Sequence, residues 1–300
     1  MKRFKKTTGD RIFNIVNMTI FGLFALICAW PFYYVIINTI SNNNDVAMGR
    51  IVWVPQGIHF TNYGNVLQMA GIYNAAFISL SRTVIGTIFS VLSASFVGYC
   101  MTKNYFWHKK FWYRYMIVTM YFSAGLIPWY MIMHVLRLNN NYLAYILPSL
   151  SQTFNMILVK TYIESLPASL EESAEIDGAG SLRRFFSIVV PLSTPILATI
   201  AIFSAVGHWN SYTDTVFLVT RENLYTLQYL LYRYLHESER LAAIIRANPE
   251  LYRFQDISKV LTPTAIRYTV SVVAVLPILC VYPFFQRYFV KGIMIGAVKG

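Results

Sequence analysis

Four carboxylates fall within seven residues, at Glu171, Glu172, Glu175 and Asp177, with the small residues Ser173, Ala174, Gly178 and Ala179 between and after them. Such a segment suits recognition better than catalysis. The carboxylates are acceptors for a basic groove on a partner, and the small residues let another backbone approach closely. A charged loop that merely joins two apolar runs is the alternative reading of the same residues. A second acidic set, Asp214, Glu222, Glu237 and Glu239, is of the type that forms carboxylate pairs in enzymes acting on glycans or lipids, but no motif accompanies it. Arg82 stands alone in an apolar run. It is suited to an anionic sugar, to a carboxylate such as Asp214, or to anchoring on helix carbonyls. Trp129, Tyr130, Asn155, Trp209 and Asn210 supply rings that stack on sugars and amides that bind hydroxyls, and aromatic residues near helix ends also populate interfacial belts. His134 and His208 have no His, Cys or Glu at ligand spacing, so no metal site is expected. The chain has no G-x-x-x-x-G-K-[ST], G-x-S-x-G or H-E-x-x-H, so it is not expected to hydrolyse ATP by a phosphate loop or to be an enzyme.

The elements that must position these residues are apolar. Hydrophobic residues make up 56% of the 300 residues and charged ones only 13%, against about 25% in a soluble domain, which places the chain in a bilayer. Charges punctuate the runs. Nothing ionised at neutral pH lies between Arg11 and Asp45, and further gaps run from Arg82 to Lys103, Arg114 to Arg137, Arg137 to Lys160, Arg184 to Asp214 and Arg267 to Arg287. Each suits a helix of about 20 residues crossing the hydrocarbon. The expected fold is therefore an all-α integral membrane domain with spans near 12–40, 72–102, 115–136, 138–160, 185–213 and 267–287, a loop at 164–184 and a tail at 288–300. The first run is too long for a signal-peptide core. Cys28, Cys100 and Cys280 lie far apart in apolar runs and read as small hydrophobes.

The net charge of +12 does not call for nucleic acid, because the basic residues are distributed by side. Lys2, Arg3, Lys5, Lys6 and Arg11, then Lys103, Lys109, Lys110 and Arg114, then Lys160, Arg183 and Arg184, and finally Arg287, Lys291 and Lys299 fall on one side. The positive-inside rule makes that side cytoplasmic, with both termini and the Glu172 segment. Within that segment, Ser169 and Glu172 fit a capping box, Gly178 a left-handed stop, and Ser181 the cap of a second helix. If Glu172 folds back onto its own helix, Glu171 becomes the better partner for an intermolecular ion pair.

Glu172-Ser173-Ala174, Gly178 and Ile188-Val189-Val190-Pro191 resemble the EAA loop of ABC importer permeases, with Ser173 where Ala is usual. Asp177-Gly178-Ala179 and Phe185 are similar to the carbohydrate branch, the second permease of maltose-type importers. Arg82 to Thr87, Phe122 to Pro128 and Tyr282 to Gly292 resemble an oligosaccharide subgroup typified by the LplC and YtcP permeases, associated with complex or uronic sugars. The likeness implies a six-helix transmembrane domain with a cytoplasmic coupling helix seated in an ATPase subunit through Glu171, Glu172, Ser173, Ala174, Asp177 and Gly178. It further implies a C-terminal tail, with Gly292, Gly296 and Lys299, reaching the ATPase dimer. The implied partners are a second permease subunit, two ATPase subunits that hold ATP and magnesium, an extracytoplasmic sugar-binding protein, an oligosaccharide and the lipid bilayer of a bacterial cytoplasmic membrane. This chain itself is expected to carry no cofactor. Arg82, Trp129, Tyr130, Asn155, Trp209, Asn210 and Asp214 remain candidates for the sugar pathway, and an acidic sugar is the expected substrate. Another solute, or far behind it a membrane enzyme, is the alternative.

Overall fold

The computed structural model describes residues 8–247, 262, 264–277 and 279–280, and among them the regular structure is helical with no strand. Two compact units are present, 1–69 with 233–273 and 70–232 with 274–300.

In the first unit, α1 (Thr8–Thr39) is a long apolar helix whose buried residues are confined to its last turn, Ile37, Asn38 and Thr39. Its outward faces carry Phe13, Met18, Phe21, Leu26 and Ile27, a composition suited to lipid. After it come the short α2 (Asn43–Ala47) and α3 (Thr61–Leu67). Asn43 and Asn62 exchange side-chain amide hydrogen bonds of 3.1 and 2.9 Å, and Asn62 also donates to the Thr39 carbonyl at 2.9 Å. These bonds satisfy polar groups that would be costly to bury alone.

The second unit is built on α4 (Ile72–Thr102). Its buried face includes Ala75, Ser79, Gly86, Ser90, Ala94, Ser95 and Gly98, a run of small residues that lets neighbouring helices approach closely. Against it pack α7 (Thr153–Glu164) and α11 (Thr194–Asn210). At Gly98 a Cβ atom would lie 3.1 Å from the Lys160 nitrogen and the Met156 carbonyl oxygen. At Gly86 it would overlap the His208 ring. Only glycine fits either crossing without displacement.

Two apolar stretches that read as straight spans are bent. The first is α5 (Lys109–Tyr121) followed by α6 (Leu126–Val135), with 120° between them. Gly125 makes the turn, at φ +85°, where an L side chain is strained. The second stretch contains α9 (Ser181–Arg184), a π turn over Phe185–Val189 and α10 (Val190–Leu192). It turns by 81° into α11. Pro195 lies in the first turn of α11, where its missing N–H costs nothing. Helices α8 (Ser169–Ile176), α12 (Thr213–Leu218), α13 (Leu227–Ala247) and α14 (Thr264–Pro277) complete the described elements.

Candidate functional site

Helix α8 carries the acidic cluster. It begins one residue earlier than the capping-box pattern predicts. Ala168 is the N-cap, with helical φ −59° and ψ −33°, and no side chain caps the helix. Leu170 N–H already donates to the Pro167 carbonyl at 3.3 Å. Proline's fixed φ has drawn the turn forward, so Ser169 lies inside the helix, and the Ser173 hydroxyl donates to its carbonyl at 2.8 Å. Ser181 is likewise the first helical residue of α9, behind Gly180 as N-cap. The stop behaves as the sequence predicts. Gly178 takes φ +79°, Gly178 N–H donates to the Glu175 carbonyl at 3.0 Å and Ala179 N–H to the Ala174 carbonyl at 2.9 Å, a Schellman closure.

The carboxylates of α8 divide by engagement. Glu171 accepts from Lys103 Nζ at 2.5 and 2.6 Å and from the Tyr99 hydroxyl at 2.9 Å. Glu175 pairs with Arg184, whose guanidinium also donates to the Ser181 hydroxyl at 3.4 Å. Burial works against the Arg184 charge, but the hydrogen bond and charge of Glu175 outweigh it and raise the guanidinium pKa, so this cation persists. Glu172 and Asp177 are exposed with no side-chain partner among the described residues, Ser173 is exposed beside them, and Glu172 borders the groove that Glu171 and Glu175 also line. Ile176, at 86% exposure, and Leu182, at 63%, extend the same exposed surface. Glu171 would be the better partner if Glu172 folded back as a cap, and that condition is not met, since no side chain caps α8. Glu171 is tied to α4, and Glu172 is unengaged.

Those ties reach the two main helices. Lys103 follows the last turn of α4, with Nζ 4.3 Å from the Tyr99 ring centroid. Arg184 closes α9 and leads into the π turn, whose Phe185 packs edge-on to Phe96 at 5.7 Å and tilted on Tyr99 at 5.1 Å. Local π turns of this kind recur at functional sites. A groove of about 350 Å³ lies between α8 and the ends of α4 and α7.

Further along α4, Arg82 meets Asp214 in the first turn of α12. Both terminal nitrogens of Arg82 bond the carboxylate, one at 3.0 Å, and that same nitrogen donates to the Ser211 carbonyl at 3.2 Å. The guanidinium carbon lies 4.6 Å from the Tyr145 ring centroid. Asp214 also accepts from Thr215 N–H at 2.9 Å. The pair borders a cavity of about 280 Å³ that Trp129, Gln152 and His208 also line. Arg82 and Asp214, paired only as one option from sequence, are thus together, with Trp129 on the same cavity. The other candidates are placed elsewhere. Asn155 is buried and donates to Gln152 at 2.7 Å, one layer behind the lining. Trp209 is buried and donates its indole N–H to the Ala274 carbonyl at 3.0 Å, so its ring serves packing rather than an open sugar platform. Asn210 is exposed and accepts from Gln228 at 3.5 Å. Tyr130 is outside the lining and stacks on His134 with ring centroids 6.3 Å apart. Glu237 is bound by Arg233 at 2.9 Å and Asp214 by Arg82, which leaves neither as a free carboxylate for hydrolysis. Gly292, Gly296 and Lys299, and the side chain of Glu239, lie outside the described residues.

The family model described as "binding-protein-dependent transport system inner membrane component" matches residues 1–295. The chain belongs to this family. It is a multi-pass membrane permease and not an enzyme. Among similar proteins, the polygalacturonan/rhamnogalacturonan transport system permease protein YtcP of Bacillus subtilis (strain 168) is 33% identical over 97% of this chain and 99% of its own length. Protein LplC of the same organism is 31% identical over 98% and 97%. A solved structure of a bacterial ABC transporter involved in the import of the acidic polysaccharide alginate superposes with a TM-score of 0.78 at 30% identity. That match covers 96% of this chain and all of the other.

In this permease the residues missed by sequence reasoning are Tyr99, Lys103 and Arg184 at one end and Tyr145, Gln152 and His208 at the other. Lys103 and Arg184 were legible only as basic residues marking a membrane side. Their carboxylate partners lie 68 and 9 residues away, and the longer separation leaves no periodic trace in the sequence.

Proposed function

We propose that this chain is the translocation subunit of an ATP-driven importer of acidic oligosaccharides. Helix α8 is then the cytoplasmic coupling helix. The observation that carries the reading is the division of α8. Glu171 and Glu175 are tied to α4 and to the lead-in of α11, while Glu172, Ile176 and Asp177 are exposed and unengaged among the described residues. A partner gripping the exposed residues moves both main helices through the ties. ATP and magnesium belong to two cytoplasmic ATPase subunits, a second permease completes the pathway, and a sugar-binding protein delivers the substrate from outside. Both termini lie in the cytoplasm, and the tail with Gly292, Gly296 and Lys299 reaches towards the ATPase dimer. The acidic class is supported by the polygalacturonan/rhamnogalacturonan and the acidic polysaccharide alginate named for two of the similar proteins, and by a buried guanidinium on the cavity wall.

A ligand shifts a two-state transporter only by binding its two states unequally. ATP supplies that difference through closure of the ATPase dimer, and the loaded binding protein supplies it from the other face. The test is purification of the chain in detergent, followed by ATPase measurements on the reconstituted complex with binding protein and a panel of neutral and uronic oligosaccharides. A copurifying soluble ATPase stimulated by uronic members is expected. Absence of any ATPase, or stimulation by none of the sugars, contradicts the reading.

A further inference from the structure

Two residues that line the cavity each carry an unsatisfied buried nitrogen. Arg82 Nε and His208 Nε2 have no hydrogen-bond partner, in side chains only 3% and 4% exposed. Buried polar atoms of this kind need an explanation, and both residues line the same space. At about 280 Å³ that space is at the lower edge of small-molecule sites, about 300–1,000 Å³, which suits one sugar unit rather than a chain. Trp129 and Tyr145 provide rings on its wall, and Gln152 an amide.

We propose that this cavity binds a uronate unit of the transported sugar, whose carboxylate replaces Asp214 on Arg82. The proposal rests on the importer reading above and adds how acidity is recognised. With Asp214 in place, the Arg82 charge is already neutralised, and the wall offers no free cation. Drawing Asp214 away without a replacement leaves a buried guanidinium uncompensated, a strongly unfavourable state. A neutral sugar hydroxyl does not offset that charge. A substrate carboxylate does, in the same two-pronged geometry. Asp214, once displaced, has two neutral donors close by, the Thr215 N–H and the Ser211 hydroxyl, which in the paired state lie at 2.9 and 3.4 Å. The exchange leaves Asp214 with neutral donors only in either case, but an acidic sugar keeps Arg82 compensated and a neutral one does not, so the acidic sugar is favoured. The Gln152 amide on the wall is left to meet ring hydroxyls. Because Arg82 is on α4 and Asp214 opens α12, exchange also unfastens α12 from α4, giving the two states the unequal affinity that transport requires.

The experiment compares a uronic oligosaccharide with its carboxyl-reduced neutral counterpart of equal length. Half-stimulating concentrations are read from the ATPase of the reconstituted complex. The wild type is expected to prefer the uronic sugar. Arg82→Gln with Asp214→Asn, a neutral pair able to hydrogen-bond, is expected to lower that preference about tenfold or more, the loss of one charged hydrogen-bonding partner. Asp214→Asn alone, which frees the cation but keeps an acceptor for Thr215, is expected to lower the half-stimulating concentration for the uronic sugar about tenfold and to leave the neutral one in place. Wild-type ratios in Asp214→Asn, or in the double variant, overturn the inference, and the single variant decides if the double one does not assemble. Equal stimulation of the wild type by both sugars overturns the inference and leaves an importer of unselective charge. No stimulation by either overturns the importer reading itself.

Discussion

Along α4, Arg82 about three turns in from its start and Lys103 at its C-cap each pair with a carboxylate from a distant segment, and the pairs are built oppositely. At the first, Arg82 and Asp214 have side chains 3% and 12% exposed, enclosed by Tyr145 and the Ser211 carbonyl. At the other, Lys103–Glu171 is partly buried, at 15% and 23%, and Arg184–Glu175 pairs a buried cation with a carboxylate 64% exposed. The enclosed pair depends on itself for neutrality. The other pairs are a mount, with one side fixed to the main helices and the other side left as surface. A charge sealed from water suits a site where a ligand must replace a partner. A charge at the surface suits a site where a protein must land.

That contrast is broken first at the enclosed pair. Arg82→Ala leaves Asp214 without its counter-ion and is expected to cost about 3–5 kcal/mol, read as a lowered thermal unfolding midpoint of the detergent-purified chain. Lys103→Ala is expected to cost less, about 1.5–3 kcal/mol, because Glu171 keeps the Tyr99 hydroxyl. Its distinguishing effect is looser coupling, measured as ATPase turnover per sugar transported in proteoliposomes. Glu175→Gln takes the counter-ion from the buried Arg184 but keeps an acceptor for it at an exposed position, and is expected to cost about 1–1.5 kcal/mol, checked in the same unfolding assay. If Glu175→Gln destabilises as much as Arg82→Ala, the distinction between enclosed pair and mount fails.

The helical class and the importer likeness were legible because lipid forces long apolar runs and because the α8 segment has a distinctive spacing. Gly178 was legible as a stop, since a left-handed residue after a charged helix has few solutions. The bends were not. Gly125 between Arg114 and Arg137, and Ser193-Thr194-Pro195 between Arg184 and Asp214, lie inside runs that charge punctuation joins into single spans. The helix start was misplaced by one residue, because Pro167 begins the turn before the Ser169 pattern does. The partnership of Glu171 with Lys103 was hidden by their separation in sequence. The cavity was half legible. Arg82 drew attention as a charge in an apolar run, but His208 reads as an isolated histidine until Gly86 is seen to leave room for its ring.

The central claim is that α8 is fastened by Glu171 and Glu175 so that Glu172 can engage a partner. Glu172→Ala tests it most directly, with affinity of the purified permease for its ATPase subunit measured in detergent beside the unfolding midpoint. The expected result is an affinity lower by about tenfold or more, with stability changed by no more than about 0.5 kcal/mol, as for an exposed residue without a partner. An unchanged affinity would contradict the account.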